Sequence, residues 1–254
     1  MNNRIIINAD DCGKSVLVDA EIEKCINLNC ISSTTVMANM NDLVGAKQMY
    51  EKYKEKISFG MHFNLSEGQP ILNSQCLLDM GYYKEEDGIV NMCGGNFRLK
   101  IFSRQEQDEL FKELDAQIQV LLDNGFEISH IDSHRHIHYS YTILPVFVRI
   151  AEKYHINKIR IKKNYLPFSL RLLAGKLWKI ELDLLNRKFV TTDYFSGFSN
   201  YYRLISKHIL LKDNSSIEFM VHPGHPKYLD EIELLKEKKN IILHNNTLIN
   251  YNEL

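Results

Sequence analysis

The chain has 254 residues, 44% apolar and 25% charged, which excludes disordered, collagenous and fibrous classes and leaves enough length to bury a core. Its 31 basic and 32 acidic residues give a net charge of -1, so no electrostatic footprint favours nucleic acid or an anionic membrane. The five cysteines (Cys12, Cys25, Cys30, Cys76 and Cys93) form no C-x-x-C pair, which argues for a reducing compartment and against a disulfide framework or a structural zinc knuckle.

In chain order, Ile5–Ile7 reads as an apolar strand, Asn8 to Gly13 as a loop, and Ser15 to about Asn29 as a helix. Ser32–Met37, rich in Thr and Val, reads as a second strand, Asp42 as the cap of a helix to about Tyr53, and Ile57–Phe63 as a third strand. From Asn64 to Phe102 the periodicity is lost over a stretch too long for an ordinary connection, as in functional lids or insertions. Ser103-x-x-Glu106 forms a capping box, and Leu110, Phe111, Leu114, Ile118, Leu121 and Leu122 recur at helical spacing until Gly125. His130–Ser133 is expected as a fourth strand, Thr142 to about Tyr154 as its helix, and Lys158–Ile161 as a fifth strand. Leu166–Phe189 reads as helical, Ile217–Val221 as a late strand, Leu229–Lys238 as a helix and Ile241–Leu243 as a final strand.

Repeated βα units imply a mostly parallel sheet with helices outside, and seven or eight strands suffice to close a barrel. The expected fold is therefore α/β, a (β/α) barrel. No linker-like or low-complexity stretch divides the chain, so residues 1–254 are expected to form one domain. The opening Met-Asn-Asn-Arg runs directly into Ile5, too short an apolar stretch for a signal peptide, and no apolar run approaches the ~18 residues of a membrane span. A soluble, cytoplasmic protein is expected.

Three clusters of ligand-type residues follow predicted strands: Asp10-Asp11, His62, and Asp132-Ser133-His134-Arg135-His136-Ile137-His138. In parallel α/β folds the C-terminal strand ends converge on the site. On an extended backbone the even spacing of Asp132, His134, His136 and His138 places all four side chains on one side. Two imidazoles and one carboxylate suit a first-row divalent ion with an open position, so Asp11, His62 and His134 are the candidate metal ligands. The neighbouring Asp10 is then free to act as general base, with His222 as general acid. Arg160 is a candidate contact to a catalytic carboxylate or to substrate.

The sequence Asn8-Ala-Asp-Asp-Cys-Gly-Lys-Ser15 resembles the NADDFG-x-S signature of the YdjC-like carbohydrate deacetylases, a group that includes chitooligosaccharide and hopanoid-biosynthesis deacetylases. Gly60-Met-His-Phe-Asn-Leu-Ser-Glu-Gly68, His130-Ile-Asp-Ser-His-Arg-His-Ile-His138 and Phe219-Met-Val-His-Pro-Gly224 are similar to the GxHxxLTxG, HxDSHxHxH and MxHPG segments of that family, in family order. Cys12 stands where Phe is usual.

The resemblance implies a (β/α) barrel, often incomplete, that uses one divalent ion, Mg2+ or Zn2+, to hydrolyse the N-acetyl group of an acetylated amino sugar or oligosaccharide. It assigns Asp11, His62 and His134 to the metal, Asp10 to the base and His222 to the late family histidine. His136, His138 and Arg160 are taken as substrate-binding candidates, while 73–102 and 165–214 match no motif. No nucleic-acid or membrane partner is expected, and a homodimer is an open alternative. The rival readings are another metal-dependent hydrolase, a phosphoesterase or cyclic amidohydrolase, or a non-catalytic carbohydrate-binding protein of the same fold. The early His-x-His usual in those hydrolases is missing, and a pure binder has no need of Asp10 as a free base.

Overall fold

A computed structural model describes residues 2–93, 101–140, 142–162, 185, 187–200 and 212–254. The elements in chain order are β1 (Arg4–Cys12), α1 (Val16–Asn27), β2 (Ser33–Val36), α2 (Leu43–Tyr53), β3 (Ser58–Phe63), α3 (Gln75–Asp79), β4 (Tyr83–Glu86) and β5 (Ile89–Met92). They continue with α4 (Arg104–Asp123), β6 (Ile131–Ser133), α5 (Leu144–Lys153), β7 (Tyr194–Gly197), β8 (Ser216–Val221), α6 (Leu229–Leu243) and β9 (Thr247–Leu248).

The starts of α1, α2 and α4 follow their capping chemistry. Ser15 accepts the Val18 N–H at 3.4 Å and Asp42 accepts that of Gly45 at 3.1 Å, while Ser103 and Glu106 close a reciprocal box at the head of α4. Leu110, Leu114, Ile118 and Leu121 give α4 its buried stripe.

Among the described residues, seven parallel strands pair in the order β6-β3-β2-β1-β8-β7, with β9 beside the start of β1. Beyond Arg4, β1 is covered on both faces, which is why it opens with consecutive isoleucines rather than an alternating pattern. Ile5, Ile7 and Ala9 join the core that also holds Val18, Ile22 and Ile26 of α1, whereas Ile6 packs with Ile249 and Tyr251 on the opposite face. Isolated parallel bridges, Ile131 to Ile159 and Lys158 to Val190, extend the sheet beyond β6. Val190 lies four residues before Tyr194, the start of β7 at the opposite edge. Four residues span at most about 14 Å, so the sheet must curl until its edges approach. The result is an incomplete (β/α) barrel.

Several boundaries differ from the sequence reading. Ile241–Leu243 is the end of α6 rather than a strand, and the final strand is Thr247–Leu248. Lys158–Ile161 contributes only bridges, and β7 comes from a stretch where no strand was expected. The helix expected from Thr142 starts at Leu144, with Pro145 in its first turn. Inside the 64–102 insertion lie α3 and the antiparallel β4–β5 pair. The helix expected over 166–189 lies mostly outside the described residues, as do 94–100 of the insertion.

Candidate active site

A cavity of about 420 Å³ opens at the C-terminal ends of the strands, lined by Asp10, Asp11, His62 and His134 and, around them, by Lys14, Glu67, Arg135, His136, His222, His225, Lys227 and Tyr228 among others. Consecutive strand residues ordinarily face opposite sides of a sheet, yet Asp10 and Asp11 both reach it. The β1–β2 register shifts between Ala9 and Cys12, and Asp11 adopts φ 70°. This irregularity turns the second carboxylate toward the cavity.

Asp10 is fixed by a fork. Arg160 Nη1 and Nη2 donate to its Oδ2 and Oδ1 at 2.8 and 2.7 Å, and Asn8 Nδ2 donates to Oδ1 at 2.9 Å. The same guanidinium reaches Asp132 Oδ2 at 2.6 Å and Glu218 Oε1 at 2.7 Å. Arg160 is 1% exposed, so it spans the barrel interior between β6, β1 and β8. Burial opposes the charge on Asp10, but Arg160 overcomes it and holds the carboxyl far below the usual carboxylate range. Burial pushes Glu218 up to about 7 despite Arg160, and its other oxygen accepts the Tyr251 hydroxyl at 2.5 Å.

Asp11, His62 and His134 each offer one ligand atom, and these atoms lie within 4.8 Å of one another. His62 Nε2 is 3.3 Å from Asp11 Oδ1, while its Nδ1 lies 2.5 Å from Asp132 Oδ1. His134 Nδ1 lies 2.8 Å from Asp11 Oδ1 and its Nε2 2.7 Å from Glu67 Oε1. Burial disfavours the charged form of His62, but Asp132 and Asp11 outweigh it and raise the ring to about 10. Contact with His134 draws Glu67 down to about 2, helped by Lys14. The set fits a divalent ion. It combines one carboxylate with two imidazoles, and a second carboxylate on the far nitrogen of His62 fixes the tautomer whose Nε2 faces Asp11.

His222 follows β8. Its Nε2 is 4.0 Å from Asp10 Oδ2 and its ring stacks on Tyr228 at 4.4 Å. Behind it, Glu231 of α6 accepts the His222 backbone N–H at 3.1 Å, lies 3.5 Å from Nδ1, and accepts the Ser199 hydroxyl at 3.0 Å.

The structure thus brings Asp10, Asp11, His62, His134, His136 and His222 to one cavity. It places Arg160 on the carboxylates rather than at the cavity wall. The even-spacing expectation for His134, His136 and His138 fails, because the strand stops at Ser133 and a 3-10 turn follows with Arg135 and His136 at φ 52° and 54°. The ring of His138 turns away, buried against Phe147 at 5.1 Å with Nδ1 on the Ser133 hydroxyl. Glu67, Glu218, Glu231 and Lys14 were not singled out by the sequence. A charge at Glu218, inside the apolar run of β8, was the available signal.

The chain matches the YdjC-like protein family over residues 4–246. It is 32% identical over 229 residues to a carbohydrate deacetylase of Halalkalibacterium halodurans, covering 90% of this chain and 87% of the relative. Against a carbohydrate deacetylase of Vibrio cholerae it is 28% identical over 223 residues, covering 87% and 78%. A crystal structure from Enterococcus faecalis, titled as a cellobiose-phosphate cleavage protein, superposes with a TM-score of 0.76 at 21% identity, covering 100% and 99% of the two chains, and shows the same fold. On a match that runs almost from end to end, the chain belongs to the YdjC-like protein family.

Proposed function

We propose that this protein is a metal-dependent carbohydrate deacetylase that hydrolyses the N-acetyl group of an acetylated amino sugar or oligosaccharide, releasing acetate and a free amine. The observation that carries this reading is the pairing of an Arg160-held Asp10 with His222 across a cavity that also presents the Asp11, His62 and His134 set. The relatives named carbohydrate deacetylase support the substrate class. A cavity of about 420 Å³ is in the size range of small-molecule sites.

Asp11, His62 and His134 would hold the ion. When bound, a divalent ion supplies Lewis-acid polarisation of the amide carbonyl and acidification of water. The chain's own groups do the rest. Asp10 stays ionised across the working pH range because Arg160 neutralises it. Its Oδ1 already accepts from Arg160 and Asn8, whereas Oδ2, with one bond from Arg160, keeps room to accept a proton from the attacking water. His222 Nε2, on the cavity side, gives a proton to the nitrogen as the C–N bond breaks, while Glu231 holds its backbone N–H from behind.

Acetate and amine release are measured on N-acetylated mono- and oligosaccharides, with protein first treated with a chelator and then supplied with magnesium, zinc, cobalt or manganese. The expected result is release that stops on chelation and returns with metal. Binding of one metal ion per chain without release from any of these substrates would count against the reading.

A further inference from the structure

The two candidate imidazole ligands are held in matching ways. Each lies between Asp11 on one nitrogen and an outer carboxylate on the other: His62 between Asp11 and Asp132, His134 between Asp11 and Glu67. The rings stand edge to face, 5.6 Å apart at 71°. Asp132 is fully buried in β6. Glu67 instead comes from the insertion after β3.

The fold invests several buried polar groups in placing it. Asn64 Oδ1 accepts the Ser66 and Glu67 N–H groups at 3.0 and 3.3 Å, and its Nδ2 donates to the Glu67 carbonyl at 2.7 Å. Gln117 of α4 grips the Asn64 backbone at both ends, accepting from N at 3.0 Å and donating to O at 2.7 Å. One turn away on α4, Glu113 accepts the Ile71 and Leu72 N–H groups at 3.0 and 2.8 Å and the Gln117 amide at 2.8 Å. Glu113 and Gln117 are buried on a helix whose other inward positions are aliphatic, and holding this loop is what they do there. From the opposite wall, Lys14 in the β1–α1 loop reaches Glu67 Oε1 at 2.5 Å.

Resting on the metal-centre reading above, we propose that Glu67 is a positioning residue for that centre. It fixes the ring of His134 from outside as Asp132 fixes that of His62, and it thereby couples docking of the 64–72 loop to metal occupancy. Outer carboxylates of this kind are worth about 10–100-fold in metal affinity.

Zinc and cobalt affinities are measured by competition with a chromogenic chelator for wild type, Glu67→Ala, Glu67→Gln, Asn64→Ala and, as a surface control, Glu85→Ala. Glu67→Ala should bind about 10–100-fold more weakly, with the shape of the cobalt absorption band unchanged. Glu67→Gln should recover most of the affinity, since its amide oxygen still accepts a hydrogen bond from His134. Asn64→Ala, which leaves His134 and Glu67 chemically intact, should lose affinity in the same direction. Equal affinity in wild type and Glu67→Ala would overturn the proposal, as would a loss matched by Glu85→Ala. An altered cobalt band in Glu67→Ala would also overturn it, by making Glu67 a ligand. Failure of the wild type to bind either ion would instead sink the metal reading beneath it.

Discussion

Asp10 and Asp11 are neighbours with different environments, and the proposed function gives them different roles. Asp10 has one carboxylate oxygen doubly occupied by Arg160 and Asn8, while Asp11, turned by a φ of 70°, faces two imidazoles. The residue identities were readable, because paired aspartates after an apolar strand and histidines at later strand ends carry their chemistry on the surface of the sequence. Arg160 was readable only as an ambiguity, since its three carboxylate partners lie on three separate strands that no local pattern links. Arg160→Met would strand Asp10, Asp132 and Glu218 in the interior, and removing one partner of such a buried cluster costs about 3–5 kcal/mol. Urea unfolding should show a loss of that order; a loss within experimental error would contradict the role. A second consequence concerns pH. Without metal, burial disfavours the charged His62 ring, but the facing carboxylates raise it to about 10, so the ring is protonated at neutral pH. An ion needs the neutral imidazole and must displace that proton. Metal affinity should therefore rise from pH 6 to pH 8 with net proton release, measurable by calorimetry in two buffers of different ionisation enthalpy. An affinity flat across that range would contradict the assignment.

Among the elements, those set by one local pattern are legible in the sequence and those set by a tertiary contact are not. The capping box and aliphatic stripe of α4 were explicit, but Glu113 and Gln117 on the same helix serve the loop at 64–72, which periodicity does not encode. The His134–His138 alternation implies one face only on a regular strand, but β6 stops at Ser133 and the turn that follows holds two left-handed residues, Arg135 and His136. Ile241–Leu243 is an apolar triplet too short for periodicity to tell strand from helix, and it completes α6. Gly60, two residues before His62, has a reason that only the structure supplies. A Cβ there would lie 2.4 Å from His130 Cε1, and the His130 ring is stacked at 3.5 Å on Tyr251. Gly60→Ala must displace that stack, for which overpacking costs of about 1–3 kcal/mol are expected. Thermal unfolding checks this; an unchanged Tm would show that the stack yields freely.

At the scale of the whole molecule, the barrel works as a frame closed at two depths. Near its lower end Tyr251 inserts, its backbone N–H on Ser58 Oγ at 3.0 Å and its hydroxyl on Glu218. Above it, Arg160 joins Glu218 to Asp10 and Asp132, so the polar interior runs unbroken from Tyr251 to the cavity. The βα alternation announced the parallel sheet, but not its curl, which depends on bridges at Ile159 and Val190 and on side chains meeting across the interior. On the proposed function, one of the two adjacent aspartates holds the metal and the other is kept for proton transfer. The most direct test measures metal content and turnover side by side in Asp10→Asn, Asp11→Ala and His134→Ala. Asp10→Asn should keep its metal and lose turnover, while the other two lose both. Equal metal loss in all three variants would contradict it.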